Sequence, residues 1–320
     1  PVFLTKTIRA AVAVPVRLRA IGASACGASN SGNGSDKVAL LISTLNNPFF
    51  VDLRDGAQAE ANKLGVNLLV SDAQNDSATQ QNQAQNAQSQ GAKAVIINPV
   101  DSDAASPAVA PLLSANLPVI SVDRSVTGED VTAHIASDNV AGGAQAADEL
   151  AKAIGEKGDI IILQGTPGAA STRDRGDGFK KEIKKYAGIK VVAEQTANFD
   201  RSEALDVTSN LMQANPNIVG VYAENDEMAL GAIQALGSKA GTDVKIVGFD
   251  GTDDGLKAIS SGTLTGTIAQ QPKELGKQAV QAAVKAIKGE KVDKTQSIEV
   301  KNRHQGECRG FPVTGFDTTG

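Results

Sequence analysis

Short apolar runs alternate with helical stretches from Lys37 to Asn302, which predicts an α/β fold on parallel sheets. The runs are apolar throughout rather than every second residue, the mark of strands buried on both faces. They number about eleven, more than one compact open sheet readily carries, so two lobes with a sheet each are expected.

The elements follow in order. Val38 to Ser43 reads as the first strand. Pro48 suits the first turn of a helix, where a missing N–H costs nothing, and that helix runs to about Leu64 with Gly65 as its C-cap. Val66 to Ser71 is the next strand. A polar, Gln- and Asn-rich helix spans Asp76 to Gln90 and stops at Gly91. Strands return at Ala94–Asn98 and Pro118–Asp123, and another ends at Ser137. Further strands are expected at 159–164, 189–194, 218–223, 244–249 and 264–269. The helices between and around them are expected at about 140–154, 171–186, 202–214, 226–238, 252–261 and 273–288.

The two ends differ from this body. Residues 1–36 read as a leader and flexible tether. Arg9, Arg17 and Arg19 accompany an apolar stretch, and the small residues Gly22 to Ala25 precede Cys26 and a Gly/Ser/Asn run. That order resembles a bacterial lipoprotein signal, with Cys26 as the lipidated residue, and a disordered or wrongly read leader is the other reading. Residues 303–320, with His304 and Cys308, lack the apolar period and are expected to be a disordered tail.

Composition narrows the function. The net charge is -5 and no basic stripe is visible, which argues against nucleic acid as a partner. No apolar run approaches the roughly 20 residues of a membrane span. Cys26 and Cys308 have no zinc-type spacing, and the two histidines, His134 and His304, stand alone, so no metal is expected. The dinucleotide, P-loop and nucleophile-elbow glycine motifs are absent from the body. Asp250 to Gly255 has the acidic content of a calcium loop without its spacing. Neither a catalytic residue nor a cofactor is expected.

In parallel sheets ligands bind outside the carboxyl ends of the strands. The residues there are Ser43 to Asn47, Asn98, Asp123-Arg124, Ser137 to Asn139, Gln164, Glu224 to Asp226, Phe249-Asp250 and Gln270. Carboxylates, amides and guanidinium groups offer paired donors or acceptors at the spacing of neighbouring sugar hydroxyls. Apolar sugar faces pack on aromatic rings, and aromatics are only 3% of this chain. Phe49 and Phe50 at a strand-to-helix turn, and Phe199 in Ala197-Asn-Phe-Asp-Arg201, therefore stand out. Each signal has a plainer reading: a Phe at a helix start also serves a core, Asp123-Arg124 is also a structural ion pair, and Asn98 before a Pro also caps a turn.

Longer segments carry a family resemblance. They are Ser43-Thr-Leu-Asn-Asn-Pro-Phe-Phe50, Val122-Asp-Arg124, His134-Ile-Ala-Ser-Asp-Asn139, Arg173-Asp-Arg-Gly-Asp-Gly-Phe179, Asn198-Phe-Asp-Arg201, Glu224-Asn-Asp-Glu-Met-Ala-Leu-Gly231, Val247-Gly-Phe-Asp-Gly251 and Thr267-Ile-Ala-Gln270. With these the body resembles the pentose/hexose branch of the type I periplasmic binding proteins, its ribose-binding members above all. The resemblance implies two similar Rossmann-like lobes joined by a three-crossover hinge. The lobes would be 37–137 plus 271–299 and 138–270 plus 300–302. It implies Asn47, Asp123, Arg124, Arg175, Asn225, Asp250 and Gln270 as hydrogen-bonding residues and Phe49, Phe50 and Phe199 as stacking walls. Ser43, Asn98, Ser137 and Phe249 complete the expected ligand-binding set. Thr166 departs from the pattern, which has an aliphatic residue there.

The function so implied is an extracytoplasmic, monomeric receptor. It would capture D-ribose or a related monosaccharide for the permease of an ABC importer, and a chemoreceptor is a further possible partner. Allose, galactose or xylose are alternative ligands. The sensing core of a LacI-type regulator is an alternative role, although residues 1–36 lack a helix-turn-helix pattern.

Overall fold

The computed structural model describes residues 35–304. Cys26, Cys308 and the expectations attached to the leader and to residues 305–320 lie outside this range.

β1 (Lys37–Ile42) is buried from Val38 onward, as an all-apolar parallel strand must be. Asn47 then caps α1 (Pro48–Leu64), which ends at left-handed Gly65 (φ 70°). β2 (Asn67–Asp72), α2 (Ser77–Ser89), β3 (Ala94–Ile97), α3 (Ser106–Ser114), β4 (Val119–Val122) and β5 (Ala133–Ser137) follow. After β5 come α4 (Asn139–Ala153), β6 (Lys157–Gln164), α5 (Ala170–Ile183), β7 (Gly188–Thr196), α6 (Arg201–Ala214), β8 (Ile218–Ala223), α7 (Asp226–Leu236), β9 (Lys245–Asp250), α8 (Asp253–Ser261) and β10 (Gly266–Ala269). α9 (Pro272–Ile287), β11 (Thr295–Ile298) and β12 (Lys301–His304) complete the described chain.

The strands form two six-stranded sheets, ordered β11-β5-β4-β3-β1-β2 and β12-β10-β9-β8-β6-β7. The chain leaves the first sheet after β5, returns after β10 and passes over again between β11 and β12. Every pairing in the first sheet is parallel. Helices cover both faces of each sheet. Phe49, Leu53 and Leu275 of α1 and α9 pack on one face of the first sheet, and Ala84 and Val109 of α2 and α3 on the other. Met228 and Ile259 of α7 and α8 cover one face of the second sheet, and Leu150 and Phe179 of α4 and α5 the other. Close contact needs small residues. A side chain at Gly276 would bring its Cβ within 2.0 Å of Leu53 O, where α9 crosses α1.

Three features depart from the expectation. α3 reads poorly as a helix because Pro111 lies inside it, where proline removes a backbone donor. The expected helix 226–238 stops at Leu236, because Gly237 turns to φ 56° and begins a 3-10 turn. Arg303 and His304 belong to β12 rather than to the expected disordered tail. They pair antiparallel with Thr267 and Gly266, so the second sheet is not wholly parallel. β12 is a polar edge strand, Lys-Asn-Arg-His, without the apolar run that marks the others.

Candidate functional site

The carboxyl ends of both sheets face one cavity. Its lining is Asn47, Phe49, Phe50, Asp123 and Arg124 from the first sheet's side, and Ser171, Arg175, Phe199, Asn225, Asp250 and Gln270 from the second's. Asp123, Arg124, Arg175, Asn225, Asp250 and Gln270 are all buried.

On the first side, Asn47 Oδ1 accepts the Phe49 N–H at 3.0 Å and caps α1, which fixes both phenylalanines. Phe49 and Phe50 meet edge to face at 5.2 Å and also belong to the core, so wall and core readings both hold. Asp123 directly follows β4 and is held at φ 66°. Asn98 Nδ2 donates to Asp123 Oδ2 at 3.3 Å, while Asn98 Oδ1 accepts the Ser43 hydroxyl at 2.6 Å. Arg124 Nη1 donates to the Pro99 and Val100 carbonyls, both at 3.1 Å. Its guanidinium lies 5.4 Å from the Phe50 ring centroid and 5.6 Å from that of Phe199.

On the second side, Arg175 rises from α5. Its Nε donates to Asn139 Oδ1 and its Nη1 to the Glu224 carbonyl, each at 2.8 Å. The Phe249 ring supports the guanidinium at 4.0 Å. Asn225 caps α7 through the Met228 N–H and donates to Phe199 O at 3.3 Å. Gln270 Nε2 donates to Asp250 Oδ1 at 2.7 Å.

Ser43, Asn98, Ser137 and Phe249 were expected at the ligand and do not line the cavity. Ser43 and Asn98 spend their polar atoms on each other and on Asp123, and Phe249 lies under Arg175. Ser137 ends β5, with a buried hydroxyl that has no partner. Thr166 donates to Asn198 O at 3.3 Å and does not line the cavity. Ser171 does line it and was not expected, because it lies on a helix rather than at a strand end. Its signal was the four-residue spacing to Arg175, which places both on one helix face.

The electrostatics are those of a desolvated polar ring. Burial pushes Asp123 above the usual carboxylate range, opposed by Arg124, Arg175, His134 and the Asn98 amide. Burial also raises Asp250 well above that range, against the pull of Arg175. Asp123 Oδ1, Arg124 Nε and Gln270 Oε1 are buried without a protein hydrogen bond. Buried polar atoms normally have partners, so three orphans at one cavity suit a ligand rich in hydroxyls.

The two sides are joined beyond the cavity. The Ser102 N–H, in the loop after β3, donates to Gly168 O at 3.0 Å, and its hydroxyl accepts the Ala170 N–H at 3.0 Å. Asp103 pairs with Arg173 at 3.0 Å nearby.

Comparison with known proteins places this geometry among relatives. A family model described as periplasmic binding protein domain matches residues 38–291. The chain is 47% identical over 283 residues to the ribose import binding protein of Escherichia coli (strain K12), covering 88% of this chain and 95% of the relative. It is 44% identical over 274 residues to the ribose import binding protein of Bacillus subtilis (strain 168), covering 85% and 89%. Among solved structures, it is similar to an ABC transporter periplasmic solute binding protein from Actinobacillus succinogenes 130z with bound D-allose. There the TM-score is 0.81 at 31% identity, over 87% of this chain and 100% of the other.

Proposed function

The chain belongs to the periplasmic binding protein family, and from that premise we propose that it captures D-ribose outside the cytoplasm for an ABC importer. The observation that carries this is the cavity itself: two arginines, two carboxylates and three amides face one another between phenylalanine walls, with three buried polar atoms left without partners. Hydroxyls of one small sugar would satisfy those atoms, and its C–H faces would pack on Phe49, Phe50 and Phe199. The relatives named as ribose import binding proteins support ribose over other monosaccharides.

The protein works as a clamp. Sugar meets one lobe in an open form, and contacts from the other lobe favour closure. Ligand moves that balance only by the extra contacts of the closed state. Asp123 and Arg124 come from one side and Arg175, Asn225 and Asp250 from the other, so the ring is complete only when the sides meet. The closed outer surface then docks on the importer's permease, with a chemoreceptor as a second reader. A lipid at Cys26 would hold the receptor at the outer face of the membrane.

Thermal unfolding with added sugar tests the proposal. Ribose at 100 times its dissociation constant stabilises the folded form by about 2.7 kcal/mol, while glucose leaves the midpoint in place. No shift with ribose at millimolar concentration would reject ribose as the ligand.

A further inference from the structure

We propose that Ser171 is a ligand contact of its own, a hydroxyl that reads one sugar hydroxyl on the Arg175 side of the cavity and so helps set which monosaccharide is held. The inference rests on the sugar-capture reading above and deepens it. Ser171 is the second residue of α5, one turn before Arg175 and on the same helix face. It is 2% exposed and lines the cavity beside Arg175 and Phe199.

A serine in the first turn of a helix usually serves the helix. It caps the free N–H groups or bonds a nearby carbonyl. Neither happens here. The cap position is Ala169, no side chain caps α5, and the Ala170 N–H is taken by Ser102 across the cleft. The Ser171 hydroxyl forms no hydrogen bond among the described residues, unlike Thr172 next to it, which donates to Thr166 O at 2.9 Å. The helix makes no use of this hydroxyl on the cavity wall, and alanine would suit the helix better. Serine at this position gains its partner from the cavity. Among the charged groups of the cavity, Arg124 and Arg175 only donate. A hydroxyl rotates to do either, so it completes a sugar hydroxyl that those groups leave half satisfied.

The test is calorimetric titration of the full chain and of Ser171→Ala with D-ribose and its singly deoxygenated analogues. Ser171→Ala should weaken ribose about two- to tenfold, and one analogue, lacking the partner hydroxyl, should bind parent and variant alike. Ser171→Thr, which keeps the hydroxyl, should bind ribose more tightly than Ser171→Ala does. The midpoint of unfolding without sugar should not fall in Ser171→Ala. Unchanged ribose affinity in Ser171→Ala would overturn the inference and leave sugar capture standing. So would an equal loss for ribose and every analogue, which marks a structural role. A folded parent that binds none of these sugars would remove the sugar-capture reading and this inference with it.

Discussion

Asp123 Oδ2 and Arg124 Nε stand 3.8 Å apart, consecutive in sequence and almost wholly buried, yet no hydrogen bond joins them. The atoms Asp123 Oδ1 and Arg124 Nε make no protein hydrogen bond. Neighbours with opposite charges and free hydrogen-bonding atoms are arranged to be bridged rather than to satisfy each other.

Asp123→Asn should therefore cost ribose binding about 2–5 kcal/mol, because Arg124 is left buried without its counter-charge. Asparagine tolerates the left-handed backbone at φ 66°, so the loss is not one of folding. Calorimetry of the variant checks this, with circular dichroism as the fold control. Parent-like affinity would remove Asp123 from the site.

Phe199 sits within 6 Å of two guanidinium groups, at 5.6 Å from Arg124 and 5.8 Å from Arg175. Its ring lies against Gly165, where a Cβ would come within 2.0 Å of Phe199 Cζ. Gly165→Ala should displace the ring and weaken ribose at least as much as Phe199→Ala, about 1–3 kcal/mol. Binding measurements on both variants decide it, and an unaffected Gly165→Ala would show that the wall does not touch ligand.

Closure depends on a contact remote from the sugar. Gly168 adopts φ 84°, and a Cβ there would lie 2.2 Å from Asp101 Oδ2 across the cleft. Gly168→Ala should hinder closure while straining the open form by only about 1 kcal/mol. Ribose affinity should fall several-fold, and small-angle scattering should show a liganded form wider than the parent's. A variant that closes and binds as the parent does would exclude the loops around Ser102 and Gly168 from the clamp.

Burial pushes Glu224 up to about 8, while an unfolded glutamate titrates near 4.3. Below about pH 4.3 both states hold the proton and this contribution is full. As pH rises towards the folded value, the unfolded chain has already released its proton, so stability is lost by up to ~1.4 kcal/mol per unit. Glu224→Gln removes that loss. Its advantage over the parent in urea unfolding should grow by roughly 1–4 kcal/mol from pH 5 to pH 8. Asp226 and Asp250 slope both proteins alike, so the difference isolates Glu224. An advantage independent of pH would contradict the assignment.

The alternation of strand and helix was legible because a strand buried on both faces must be apolar throughout, as β1 and β3 are. The polar ring was legible because parallel strands bring their carboxyl ends together, so Asp123, Asn225 and Asp250 could be placed from position alone. What position does not carry is where a polar side chain spends its hydrogen bonds. Asn98 ends a strand as Asp123 does, but its amide is used on Ser43 and on Asp123 itself. Ser171 escaped for the opposite reason, since its α5 position gives no strand-end signal. α3 was masked by Pro111, and β12 by its wholly polar residues.

Calorimetric titration of the unfolded and refolded protein with D-ribose, beside allose, galactose, xylose and glucose, tests ribose capture most directly. Refolding strips any sugar carried through purification. The account predicts saturable one-to-one binding of ribose, far tighter than any other sugar in the set. A folded protein that binds none of the five, or that prefers another of them, would contradict it.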